Sequence, residues 1–145
     1  MAIKFFNDGS AYRPPHKRAT TKWIAECVRC EGFRAGDISY IFCSRERHLD
    51  MNRTYLGHDY PTDVITFDYS DLEAGTVSGD VFIDPATVAE NAARFGSAPA
   101  EEMQRVMAHG ALHLCGYKDK TQAEQAVMRA KEDEWMGRFR DVSGE

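Results

Sequence analysis

Two histidines, His109 and His113, lie four residues apart within an apolar run that favours a helix. Four residues make about one helical turn, so both imidazole rings project from the same face. Gly116 follows three residues after the second histidine, and Asp119 three residues after that glycine. Because glycine readily takes the left-handed conformation that ends a helix, the chain can reverse there and bring Asp119 back against both rings. The pattern predicts three metal ligands around one open position, which is the arrangement of a catalytic zinc site.

The spacing His-x3-His-x2-Gly-x2-Asp matches the extended zinc motif of the metzincin proteases, with Asp119 in the place of their third histidine. A carboxylate oxygen is an accepted zinc ligand. Proteases of this type carry a glutamate directly after the first histidine as general base, whereas this chain has Gly110. Because glycine moves no proton, the sequence predicts a zincin-like metal-site helix without that route to peptide hydrolysis.

Length and composition favour a single domain over residues 1–145. Hydrophobic residues make up 43% of the chain and charged residues 28%, which is ordinary for a globular protein. The formal net charge of -5 argues against a generally basic surface for nucleic acid, although local arginines and a bound dication could still attract phosphate. We find neither a signal peptide nor an apolar run of about 18 residues, and therefore expect a cytoplasmic protein with reduced cysteines.

Hydrophobic periodicity predicts an α+β domain, with a small mixed sheet of about four strands covered by helices. The expected strands are Ile3–Phe6, Ile38–Cys43, Val64–Phe67 and Val77–Ile83. The expected helices are Lys17–Glu31, Ser44–Tyr55, Pro85–Gly96, Pro99–Leu114 and Gln122–Phe139. Pro61 makes Gly57–Asp63 a loop, and Asp68–Gly75 is expected to be a turn.

The run His-Gly-x-Leu-His-Leu-x-Gly-Tyr at residues 109–117 resembles the signature of the YbeY endoribonucleases, bacterial rRNA-maturation enzymes with one zinc ion. The resemblance extends from about Ile38 to Glu134, with further matches at Asn52, Gly57, Thr62-Asp63-Val64, Phe67, Gly79-Asp80-Val81, Met128 and Glu132. It implies a metal-dependent endoribonuclease that acts on single-stranded rRNA, with ribosomal particles or ribosome-assembly proteins as partners.

The chain departs from the commonest family pattern at two positions. The family usually continues Gly-Tyr-Asp-His, with the last histidine as third ligand, and the resemblance carries that role to Asp119. We expect one zinc ion at this centre. Because a carboxylate ligand lowers the charge of the metal centre, manganese and magnesium are alternatives. Leu56 stands where the family usually has an arginine that contacts phosphate. Either another basic side chain then contacts the substrate, with Arg45, Arg47 and Arg53 as the nearby candidates, or turnover is low.

Two other functions stay open at this point. One is a metalloprotease-like hydrolase on the same scaffold. The other, which Leu56 favours, is a non-catalytic ribosome-associated factor that keeps the metal for structure. In the endoribonuclease interpretation, a sheet edge near Gly79–Ile83 and the loop Gly57–Asp63 are expected to form walls of the substrate groove.

The remaining histidines and cysteines lack the spacing of metal ligands. Cys27 and Cys30 form a Cys-x2-Cys pair with no second pair to complete a zinc site, so we expect free thiols. Cys115 points to another side of its helix than His113 and is expected in the core. His48 and His58 are expected at the surface.

Overall fold

The structure is a computed structural model that describes residues 2–56 and 63–143. Its strands are β1 (Ala2–Asp8), β2 (Arg34–Cys43), β3 (Val64–Asp68) and β4 (Thr76–Ile83). Its helices are α1 (Lys17–Cys30), α2 (Arg45–Met51), α3 (Pro85–Phe95), α4 (Pro99–Leu114) and α5 (Gln122–Ser143), with a π-helical turn at Asn52–Leu56 after α2. The predicted α+β class is confirmed.

The strands form one mixed sheet in the order β1-β2-β4-β3. Strand β2 runs parallel to both β1 and β4, whereas β3 runs antiparallel to β4. The prediction that Gly79–Ile83 lies at a sheet edge is wrong, because β4 is hydrogen-bonded to a strand on each side. Strand order depends on pairing between distant segments, which the alternation of residues within one strand does not encode.

The predicted elements are present, but several have different ends. Strand β1 is longer than Ile3–Phe6, because it pairs with β2 from Ala2 to Asp8. Strand β2 begins at Arg34, before an irregularity in its register with β4. The helix expected over Ser44–Tyr55 is α-helical only to Met51, and α5 continues past Phe139 to Ser143.

The helices cover the sheet through a core of large, fully buried side chains, among them Trp23, Tyr40, Leu112 and Trp135. The polar atoms of these aromatic residues are satisfied, as buried polar groups require. The indole nitrogen of Trp23 donates to the carbonyl of Trp135 at 2.6 Å, and the hydroxyl of Tyr40 donates to the carbonyl of Met107 at 3.0 Å. These bonds tie α1 to α5 and β2 to α4.

Helix α4 approaches the sheet closely at Gly110. A Cβ atom at this position would lie 2.6 Å from Cγ1 of Val81 in β4. Since van der Waals contact between carbon atoms needs about 3.5 Å or more, only glycine fits without movement. Close packing therefore requires a glycine directly after His109. The same glycine leaves this position without a general base.

Within residues 2–56 and 63–143, no helix combines the length and apolar character that a bilayer crossing requires.

Candidate metal centre

Helix α4 ends in a Schellman motif, in line with the prediction for Gly116. Gly116 has a φ of 104°, and its N–H donates to the carbonyl of His113 at 3.0 Å. The N–H of Tyr117 donates to the carbonyl of Leu112 at 3.1 Å. This pair of bonds defines the motif and satisfies carbonyls at the end of the helix. The chain then turns back, and Asp119 faces the two histidine rings.

The structure brings the three predicted ligands together. Oδ2 of Asp119 lies 3.2 Å from Nε2 of His109 and 3.4 Å from Nε2 of His113. The two Nε2 atoms are 3.0 Å apart. Ligand atoms about 2.1 Å from a tetrahedral zinc ion lie about 3.4 Å from one another, so this triangle has the size that one such ion requires. That the three residues bind a metal stays a prediction.

Hydrogen-bond acceptors behind the two rings set their tautomers. Nδ1 of His109 lies 2.7 Å from Oε2 of Glu132, and Nδ1 of His113 lies 3.0 Å from the carbonyl of Tyr117. A carboxylate and a carbonyl only accept, so each Nδ1 carries the proton and each neutral ring presents an Nε2 lone pair. Two such lone pairs and the Asp119 carboxylate converge with no donor between them. The donor set therefore fits a cation.

A buried charge pair supports His109. Glu132 accepts from His109 and also from Arg105 at 2.9 Å, while Arg105 donates to Asp133 at 2.7 Å. Burial lowers the pKa of His109, but the hydrogen bond and charge of Glu132 and the charge of Asp119 outweigh it and raise this pKa above its ordinary value. The same negative potential favours a bound cation.

The loop after α4 is held by Glu31, which sequence reasoning missed. Oε1 of Glu31 accepts from the hydroxyl of Tyr117 at 2.6 Å, and Oε2 accepts from Lys131 at 3.1 Å and Trp135 at 3.2 Å. Burial raises the pKa of Glu31, but these three hydrogen bonds and the charge of Lys131 hold it below its ordinary value. The contact places Tyr117 so that its carbonyl reaches His113. No local pattern around Glu31 signals this role.

A cavity of about 500 Å³ opens beside His109 and Asp119. Its walls come mainly from α3, α4 and α5, and its lining includes Arg94, Arg105 and Arg129. Sequence reasoning missed these arginines, because they belong to three helices and meet only in the folded chain. Of the predicted loop wall, Asp63 lines the cavity, and residues 57–62 lie outside the described residues.

The arginines proposed from the sequence lie elsewhere. Arg45 pairs with Glu90, and Arg47 pairs with Asp8 at 3.0 Å. Neither of them, nor Arg53, is among the described residues that line the cavity. A role for these three in substrate contact stays a prediction.

The prediction that His48 lies at the surface is wrong. His48 is 1% exposed, and its Nε2 lies 3.0 Å from the carbonyl of Phe82. The face of α2 that carries His48 packs toward β4. Because α2 has only seven residues, its hydrophobic periodicity does not indicate which face is buried. His58 lies outside the described residues.

Cys115 lies in the core, as predicted. Cys27 and Cys115 are buried and Cys30 is exposed, and all three are free thiols. Burial raises the pKa of Cys27 and of Cys115 to about 12. Thiols of this kind stay protonated at neutral pH and pack as small apolar groups.

Comparison with known proteins identifies the family of the chain. A family model described as Endoribonuclease YbeY matches residues 7–140. A relative named Endoribonuclease YbeY from Bacteroides thetaiotaomicron is 45% identical over 133 residues, covering 92% of this chain and 96% of the relative. One of the same name from Porphyromonas gingivalis is 42% identical over 142 residues, covering 98% and 93%. The solution structure of a Thermotoga maritima protein has a TM-score of 0.67 at 26% identity, covering 97% of this chain and 90% of that chain. The chain therefore belongs to the YbeY family of endoribonucleases.

Proposed function

We propose that this protein is a metal-dependent endoribonuclease that cleaves single-stranded rRNA and acts on ribosomal particles during their maturation. The observation that carries the proposal is the convergence of two Nε2 atoms and one carboxylate oxygen, 3.0 to 3.4 Å apart, beside an arginine-lined cavity. Membership of an endoribonuclease family supports the reaction type. A cytoplasmic location and a single catalytic domain over residues 1–145 are part of the same proposal.

The proposed ligands are His109, His113 and Asp119, and the proposed ion is zinc, with manganese or magnesium as alternatives because one ligand is a carboxylate. A divalent ion held there would polarise a phosphoryl oxygen and lower the pKa of an attacking water. Glu132 and the Tyr117 carbonyl keep the two rings in the tautomer that ligation needs. Single strands suit such a site, because their unpaired bases can be splayed away from the backbone.

Two observations favour this function over the alternatives. A protease of the metzincin type needs a glutamate after the first histidine, and the 2.6 Å approach of a Cβ at Gly110 to Val81 excludes one without rearrangement. A purely structural metal would not need a cavity at its open side, whereas this centre adjoins one of about 500 Å³.

The test exchanges the third ligand. Asp119→Ala is expected to lose bound zinc and cleavage of a single-stranded rRNA fragment together. Asp119→His, which supplies the ligand most common in the family, is expected to retain both. Metal analysis and gel-based cleavage are run side by side, with a metal-stripped sample of the parent protein.

Three results would contradict the proposal. Unchanged cleavage by metal-stripped protein would exclude a metal-dependent reaction. Metal-dependent cleavage of unstructured peptides without cleavage of RNA would establish the protease alternative. Binding of rRNA with no cleavage under zinc, manganese or magnesium, together with a large drop in melting temperature on metal removal, would establish the non-catalytic factor.

A further inference from the structure

We infer that Arg94 and Arg129 form a phosphate clamp for the RNA backbone at the entrance to the metal centre, and that Phe95 provides the stacking surface for one unpaired base. This inference rests on the proposed function and assigns its substrate contacts. The term arginine clamp is used below for Arg94 and Arg129.

The two arginines of the clamp lie on two different helices, both of which pack against α4. Arg94 lies in the last turn of α3, and Arg129 lies in α5. Helix α4, which carries His109, packs against both of these helices. Both arginines line the same cavity as His109 and Asp119. A strand bound across the clamp would therefore pass the proposed metal centre.

The clamp arginines differ from the third arginine of the cavity. Arg105 is held between Glu132 at 2.9 Å and Asp133 at 2.7 Å, so its charge is already partnered. Within the described residues, no carboxylate forms an ion pair with Arg94 or Arg129, and both are exposed. Arg129 acts on the carboxyl of Glu102 through its charge but forms no ion pair with it. A guanidinium outside an ion pair keeps its planar set of N–H donors available for a phosphate.

The charge of the cavity changes sign when a divalent ion is present. The lining holds three arginines and the four carboxylates of Asp63, Glu102, Asp119 and Glu132. Without an ion the carboxylates exceed the arginines by one charge, and with a divalent ion the balance becomes positive by one. In a chain with a net charge of -5, loss of either clamp arginine would remove this positive balance. Attraction of a polyanion to this cavity thus depends on the clamp.

Phe95 provides a contact for a base of the RNA, in addition to the phosphate contacts of the arginine clamp. Its side chain lines the cavity beside Arg94 and is 66% exposed. Bases stack on exposed aromatic rings, and such stacking is tolerant of sequence. Only an unpaired base can turn onto the ring, so this contact would favour single strands over duplexes.

The experiment measures affinity for a short single-stranded oligouridylate by fluorescence anisotropy over a range of salt concentrations. The protein is loaded with zinc, so that the cavity carries its positive balance, and a gel of each sample verifies that the oligouridylate stays intact during the titration. Arg94→Gln and Arg129→Gln are each expected to weaken binding about tenfold and to lower the slope of log affinity against log salt by about 0.7, the value for one phosphate contact on a single strand. Phe95→Ala is expected to weaken binding about tenfold with an unchanged salt slope.

Arg29→Gln is the matched control, because Arg29 is an exposed arginine of α1 that pairs with Glu26 and is not among the described residues that line the cavity. It is expected to keep the parental affinity and slope. In metal-loaded protein, the clamp variants are expected to keep their zinc content and to raise KM more than they lower kcat. These three side chains are exposed, so the variants are expected to fold.

The outcomes separate this inference from the function on which it rests. If the parent cleaves RNA in a metal-dependent way while Arg94→Gln and Arg129→Gln both bind with the parental salt slope, the clamp assignment is wrong and the proposed function stands. A changed slope in Arg29→Gln, with the parental slope in both clamp variants, would place the phosphate contact on α1 and overturn the clamp as well. A parent that neither binds nor cleaves RNA would remove the proposed function itself, and the clamp with it.

Discussion

Nδ1 of His109 donates a hydrogen bond to Oε2 of Glu132 over 2.7 Å, and this contact determines which nitrogen of His109 faces Asp119. A carboxylate behind a ligating histidine raises the basicity of the ring and fixes its orientation. We expect Glu132→Gln, which keeps the shape and removes the charge, to lower zinc affinity about tenfold to a hundredfold. Competition with a chelator of known affinity measures the effect.

Asp133→Asn is the matched control for that change. Asp133 accepts from the same Arg105 at 2.7 Å but is itself 60% exposed. Because exposed ion pairs contribute little, we expect zinc affinity to stay within about twofold of the parent value. Equal losses in the two variants would show that the pairing of Arg105, and not the contact with His109, sets the affinity.

Gly116 adopts a conformation that other residues reach only with strain. Its φ of 104° lies in the region that favours glycine, and its Schellman bonds place the carbonyl of Tyr117 behind His113. We expect Gly116→Ala to lower the free energy of unfolding by about 1–2 kcal/mol and to weaken zinc binding. Urea denaturation and chelator competition measure the two effects.

Gly137 offers a comparison with the opposite expected sign. It lies within α5, and a Cβ there would meet nothing within 4 Å. Alanine is favoured over glycine inside a helix by about 0.5–1 kcal/mol, so Gly137→Ala should raise the free energy of unfolding by that amount. A loss of stability in this variant would mean that the two positions cannot be compared on backbone preference alone.

Gly110 allows α4 to pack closely on β4, and this can be tested by a double-mutant cycle with Val81. A Cβ at Gly110 would lie 2.6 Å from Cγ1 of Val81, so we expect Gly110→Ala to lower the free energy of unfolding by about 1–3 kcal/mol through overpacking. In the Val81→Ala background the added methyl group has space. The cost of Gly110→Ala should therefore be smaller there, and simple additivity of the two changes would contradict direct contact.

Glu31 gives the stability of the protein a defined dependence on pH. Burial raises the pKa of Glu31, but its bonds to Tyr117, Trp135 and Lys131 hold it below the ordinary 4.5. A depressed pKa in the folded state contributes stability that is complete above the unfolded value and is lost as pH falls through the folded value. We therefore expect the difference in unfolding free energy between the parent and Glu31→Gln to be largest at neutral pH and to shrink below pH 4.5.

Urea denaturation of both proteins across this pH range measures the difference directly. Glu26→Gln serves as the comparison, because Glu26 lies on α1, of which Glu31 is the C-cap, and accepts from its neighbours Arg29 and Cys30. The hydrogen bond from Arg29 also lowers the pKa of Glu26, but exposed ion pairs contribute little to stability, so we expect a smaller difference than for Glu31→Gln. A difference between parent and Glu31→Gln that grows as the pH falls would contradict the assignment of Glu31 as a buried anion.

Local spacing accounts for the part of the site that the sequence predicts. His109 and His113 share a face because the α-helix repeats every 3.6 residues, and Gly116 ends the helix because it alone among its neighbours accepts a positive φ without strain. The ligand triangle lies within eleven residues of chain, from His109 to Asp119. Geometry over so short a span is set by backbone dihedral preferences, which residue types express directly.

What surrounds that triangle was decided only by the tertiary structure. Glu132 is 23 positions from His109, and Glu31 is 86 positions from Tyr117. The position of β4 between two strands, the burial of His48 and the meeting of Arg94 with Arg129 are of the same kind. Such contacts depend on how whole helices and strands pack, which is governed by the burial of many side chains together. Because the hydrophobic effect is non-directional, no local residue pattern predicts which distant polar groups will come into contact when the helices and strands pack.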